Sequence, residues 1–179
     1  MIVKTTLVAA ALSAITLVQA MGAAALGLNT EEWKKPSAEM VAQVEAMEKA
    51  MAAMAKGETP EVTLQQAIDK VRELADKGND RDALFAMGFL MQQSQQQNAL
   101  AEAMTYYKRA ADAGQLQAMN NYGFILAGSS QEVEKTKEGL DFIKKASEGG
   151  LNAARRNMAA IYLNGLGGEE RDPDAAVEL

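Results

Sequence analysis

The chain contains neither cysteine nor histidine, so any chemistry must come from carboxylates, lysine, tyrosine, serine or thioether sulfur. Without thiol and imidazole there are no disulfides, no Cys or His metal sites, no Ser-His-Asp or Cys-His nucleophile and no histidine acid-base step. Three stretches concentrate what is left. Met40, Val44, Met47, Met51 and Met54 succeed one another at steps of 4, 3, 4 and 3. Thioethers suit Cu(I), yet that spacing also puts all five on one helical face, where methionine is adaptable packing. The loop from Gly165 to Asp174 is acidic and glycine-rich. It lacks the alternating ligands and closing bidentate glutamate of a calcium loop, and Asp172-Pro173 reads as a helix N-cap and its first residue. Glu169 and Glu170 are adjacent carboxylates with no basic partner to tune them, which is the pattern of a solvated pair. No metal, cofactor or catalytic group is expected, and a carboxylate hydrolase is the weakest functional class.

The elements that position these residues are helical. Aromatics make up only 5% of the 179 residues and prolines number 3, while Ala, Met, Leu, Glu, Gln and Lys dominate, so the alphabet is that of helices. A net charge of -6 argues against nucleic acid, which needs clustered Lys and Arg. Residues 1–20 have the layout of a secretory signal peptide: Lys4, an apolar stretch from Thr5 to Val18, then Val18-Gln19-Ala20. Cleavage after Ala20 is expected, with Ala23 to Ala25 as alternatives and an uncleaved anchor as the rival. Removing Lys4 would leave the mature chain, periplasmic or secreted and without a membrane span, at -6 minus 1, or -7. Residues 21–61 form a linker with a Met-rich amphipathic helix over 37–57. That helix either covers the open edge of the repeats downstream of it or drives a homo-oligomer.

From residue 62 the pattern repeats. Tyr106-Tyr107-Lys108-Arg109-Ala110-Ala111-Asp112-Ala113-Gly114 returns 36 residues later as Phe142-Ile143-Lys144-Lys145-Ala146-Ser147-Glu148-Gly149-Gly150, and Gly78 lies another 36 before Gly114. A period of that length means stacked helix hairpins. Thr63 and Gln66 make a capping box opening a helix that ends at Gly78. Ala83, Met87, Gly88 and Met91 recur as Ala118, Tyr122, Gly123 and Leu126, and again as Ala154, Met158, Ala159 and Tyr162. The spacing predicts further helices from near Asp82 into the glutamine-rich connector 92–98, over 99–113, up to Gly128, over 138–148 with Thr136 as cap, and up to Gly165. A last one starts at Asp172.

These residues resemble the Sel-1-like repeat family. The resemblance rests on Ala83, Met87, Gly88, Tyr106, Lys108, Arg109, Ala110, Ala111 and Gly114, on their counterparts Ala118, Tyr122, Gly123, Phe142, Lys144, Lys145, Ala146, Ser147 and Gly150, and on a third copy clipped at the chain's end. It covers 62–179 and implies an all-α fold, a right-handed α-solenoid of antiparallel helix hairpins similar to tetratricopeptide arrays. It also implies a non-catalytic scaffold that binds a protein or peptide through a concave wall of first helices. By that likeness the inward side chains include Phe85, Phe89, Gln92, Asn120, Phe124 and Arg156, suited to a peptide with an apolar side chain and a carboxylate. The rival is that Phe85, Phe89 and Phe124 are core between repeats.

Overall fold

The computed structural model describes residues 36–94, 98–129, 132–165 and 169–177. The expected signal peptide, the middle of the glutamine run and the tip of the glycine-rich loop lie outside them. Every regular element among the described residues is a helix: α1 Ala38–Ala55, α2 Leu64–Asp76, α3 Arg81–Gln92, α4 Ala99–Asp112, α5 Leu116–Ser129, α6 Val133–Glu148, α7 Asn152–Asn164 and α8 Pro173–Val177. They form an all-α solenoid of stacked hairpins. Two compact units divide the chain between Tyr106 and Tyr107, within α4.

In the first unit α1 packs on α2, and α2 on α3. Ser37 starts α1 by accepting from the Met40 amide at 3.1 Å. Met40, Met47 and Ala50 are buried, while Met54 is exposed in the last turn. Met40 and Met47 of the stripe are therefore packing within this chain, Val44 and Met51 are half-buried, and α2, which the repeat pattern leaves as an unpartnered second helix, has α1 as its first-helix neighbour. The capping box of α2 forms in both directions. The Gln66 amide donates to Thr63 Oγ1 at 3.2 Å and the Thr63 amide to Gln66 Oε1 at 2.9 Å, an arrangement stabilising by about 1 kcal/mol. Leu64, Ala67, Ile68, Val71 and Ala75 then form one buried stripe.

In the second unit α5 packs on α6, α6 on α7, and α7 on α8. The period survives as columns of burial: Val71, Tyr107 and Ile143 are buried at intervals of 36, and Ala75, Ala111 and Ser147 are buried in a column of their own. Gly57, Gly114 and Gly150 adopt left-handed φ values of 74°, 86° and 92°. After each comes an amide that donates five residues back: Glu58 to Ala53, Gln115 to Ala110 and Leu151 to Ala146. This is the 6→1 bond that closes a helix through a left-handed residue.

Two details differ from the sequence expectation. Gly78 ends α2 without a left-handed φ; Asn79 takes that conformation at 49°, and the closing bond is lengthened to Asp80 donating to Leu74. The joint holds one extra residue, which is why the first two copies of the pattern are offset by 35 rather than 36. Thr136 does not cap α6, which begins three residues earlier at Val133. Its hydroxyl donates to the Glu132 carbonyl at 3.1 Å, the i−4 bond of a threonine already inside a helix.

Candidate functional site

In the first unit, Phe85, Phe89 and Gln92 lie along one side of α3 at steps of four and three. Asp80 starts this helix, accepting from the Asp82 and Ala83 amides at 3.0 and 2.9 Å. Residues 82 to 88 are all buried, so α3 is enclosed on most sides. Phe85 is 5% exposed and belongs to the core. Its ring centroid lies 6.4 Å from that of half-buried Phe89, so Phe85 backs Phe89 from beneath, and Gln92 is at the exposed end of the helix.

In the second unit the residues fall on α5 and α7. Asn120 is only 9% exposed, because Asn157 of α7 stands against it and donates from Nδ2 to Asn120 Oδ1 at 2.8 Å. Asn120 Nδ2 in turn reaches Asn121 Oδ1 at 3.4 Å, and Asn121 hydrogen-bonds the hydroxyl of buried Tyr107. Burial pushes the Tyr107 phenol up to about 12, with the Asn121 bond opposing part of that rise. A chain of polar side chains thus runs from α4 through α5 to α7 and holds the two first helices side by side. On their solvent side stand Phe124, 62% exposed, and Arg156, also exposed. The repeat places Arg156 36 residues after Asn120 and Ala160 36 after Phe124. Asn157 was not among the expected site residues; its signal was the Asn121–Asn157 column.

The repeat signature itself is consumed by packing. Tyr106 donates from its hydroxyl to Asp76 Oδ1 at 3.0 Å within the first unit. In the second, Tyr122 and Phe142 meet edge to face at 5.2 Å. Lys108 Nζ lies 5.4 Å from the Phe142 ring centre and 2.7 Å from Asp112 Oδ1, and Lys145 Nζ is also 5.4 Å from Phe142. Tyr122 donates to Glu138 Oε1 at 3.4 Å. Its phenol is raised by burial first and by the Glu138 charge second. Such ring and cation contacts stabilise by roughly 0.5–1 kcal/mol each at partly exposed sites. Among the described residues, no group of three or more His, Cys, Asp or Glu side chains is placed to hold a metal ion. The candidate surface offers an aromatic face, a guanidinium and amides, which is equipment for binding.

No family model matches the chain. Protein sel-1 homolog 2 of Rattus norvegicus is 29% identical over 99 residues, 55% of this chain but 14% of that protein. The crystal structure of a Sel1 repeat protein from Oxalobacter formigenes superposes with a TM-score of 0.59 at 22% identity, covering 94% of this chain and 65% of that one. The chain thus spans less than two thirds of either. The repeated signature and the relative are similar to those of Sel1-like repeat proteins, and the fold, like that of the solved Sel1 repeat protein, is an all-α solenoid of stacked helix hairpins.

Proposed function

We propose that the chain is an exported, non-catalytic scaffold that binds a partner protein through the solvent side of its first helices. The observation that carries this reading is Phe124, a large aromatic left 62% exposed on a helix whose opposite side is tightly packed. Isolated exposed apolar residues are ordinary; here the ring lies four residues after Asn120 on α5, and Asn120 bonds to Asn157, which follows exposed Arg156 on α7, a grouping that supports a binding role. The buried Met40 and Met47 disfavour the rival in which the methionine stripe drives oligomerisation. Export rests on the leader-like composition of residues 1–20, giving a periplasmic or secreted bacterial protein. Among the described residues no helix is long and apolar enough to cross a membrane.

The test is crosslinked pull-down from the native envelope fraction with the full chain and with a Phe124→Ala, Arg156→Ala double variant. Both side chains are exposed, so the thermal midpoint should not move while partner recovery falls about tenfold or more. Equal recovery by both proteins would sink the proposed surface.

A further inference from the structure

We infer that the α5–α7 face takes an extended acidic segment from within a partner chain, with a large apolar side chain laid on Phe124 and an aspartate or glutamate side chain paired with Arg156. This rests on the scaffold reading above and names the class of partner. Charge singles this face out. The protein carries 24 acidic against 18 basic residues, yet α5 (LQAMNNYGFILAGS) has no charged residue and α7 (NAARRNMAAIYLN) has only Arg155 and Arg156. The two first helices of this unit therefore form a cationic, carboxylate-free strip in an acidic protein. Arg155 and Arg156 are exposed, and neither makes an ion pair among the described residues. A guanidinium so placed has both edges available for a carboxylate, which it holds better than lysine would.

The remaining groups fit an extended main chain. Asn157 spends one N–H on Asn120, which leaves its second N–H and its Oδ1, a donor and an acceptor matching one peptide unit. Phe124 makes no ring contact among the described residues, and the matching position on α7 is the small Ala160, so an incoming apolar side chain meets an aromatic face without a bulky neighbour at the repeat-equivalent site. The carboxylate is assigned to a side chain rather than a chain terminus because the donors next to Arg156 in the chain are the Arg155 guanidinium and the one remaining N–H of Asn157, and the latter is taken by the peptide unit of a chain that runs on.

The experiment is panning of random phage-displayed peptides, in internal and free-C-terminal formats, against the full chain and against Arg156→Glu and Phe124→Ala. Affinities of selected peptides are then read by fluorescence anisotropy. Wild type should select Asp or Glu at a fixed spacing from a large apolar residue, in both formats. Arg156→Glu should bind those peptides at least about tenfold more weakly and select Lys or Arg at the acidic position. Phe124→Ala should lose the apolar preference and keep the acidic one. Selected peptides without acidic enrichment, peptides indifferent to Arg156→Glu, dependence on a free C-terminus, or no selection at all would each overturn the inference. The scaffold reading would survive those outcomes, since it falls only with equal partner recovery in the pull-down.

Discussion

Tyr107→Ala should destabilise the second unit by about 4 kcal/mol, the usual cost of removing a large, fully buried ring. Tyr107 is among the largest fully buried side chains and stands in the 36-residue column with Val71 and Ile143. Tyr107→Phe keeps the ring and loses only the Asn121 bond, so it should cost about 1 kcal/mol. The same residue sets an alkaline limit. Its phenol is raised from the ordinary 10.0 to about 12 by burial, so folding opposes its ionisation. The associated stability is fully present below about pH 10 and is lost as the pH rises toward 12. Urea midpoints measured across that window should fall more steeply for wild type than for Tyr107→Phe. Parallel declines would show that the buried phenol does not titrate as described.

Gly123→Ala and Gly139→Ala should each destabilise the α5–α6 hairpin by about 2 kcal/mol. The two glycines face each other where the helices cross. A Cβ on Gly139 would lie 2.6 Å from the Gly123 carbonyl and 2.8 Å from the Ala127 nitrogen, and one on Gly123 would strike the Gly139 carbonyl. Backbone cannot rotate aside as a side chain can, so the helices must separate. Overpacking of this kind costs about 3 kcal/mol, against roughly 1 kcal/mol gained in helix propensity. Gly128, in the same helix, has nothing within 4 Å of an added Cβ. Gly128→Ala should therefore raise stability by about 0.5 kcal/mol. A shift of the same sign at Gly123 and Gly128 would contradict the close crossing.

The fold was legible because its signals are local or periodic. Thr63 with Gln66 and Asp172 with Pro173 announce helix starts within four residues, and Asp172 Oδ1 does accept from the Ala175 amide at 3.0 Å. The 36-residue columns announce the stacking. What was not legible depends on neighbours. Glu132 opens α6 without a side-chain cap bond, so no cap marks that boundary. The left-handed residue passes from Gly78 to Asn79 because one extra residue enters the joint, and asparagine tolerates that conformation. On the site, helical spacing groups Phe85, Phe89 and Gln92 on one side of α3, but only packing tells that Phe85 is beneath and Gln92 outside. Asn120 likewise became a bridge between helices through Asn157, a contact across 37 residues that composition does not reveal.

In the proposed function the first helices present the working surface and the repeat signature serves as scaffold. A photocrosslinking amino acid placed singly at positions 124, 160 and 144 of the full chain, irradiated in the native envelope fraction, distinguishes the two roles. Positions 124 and 160 are exposed on α5 and α7, and position 144 is exposed on the second helix α6. Adducts of a common partner from 124 and 160, with none from 144, are the expected result. Adducts from 144 in place of the other two would overturn that division of roles.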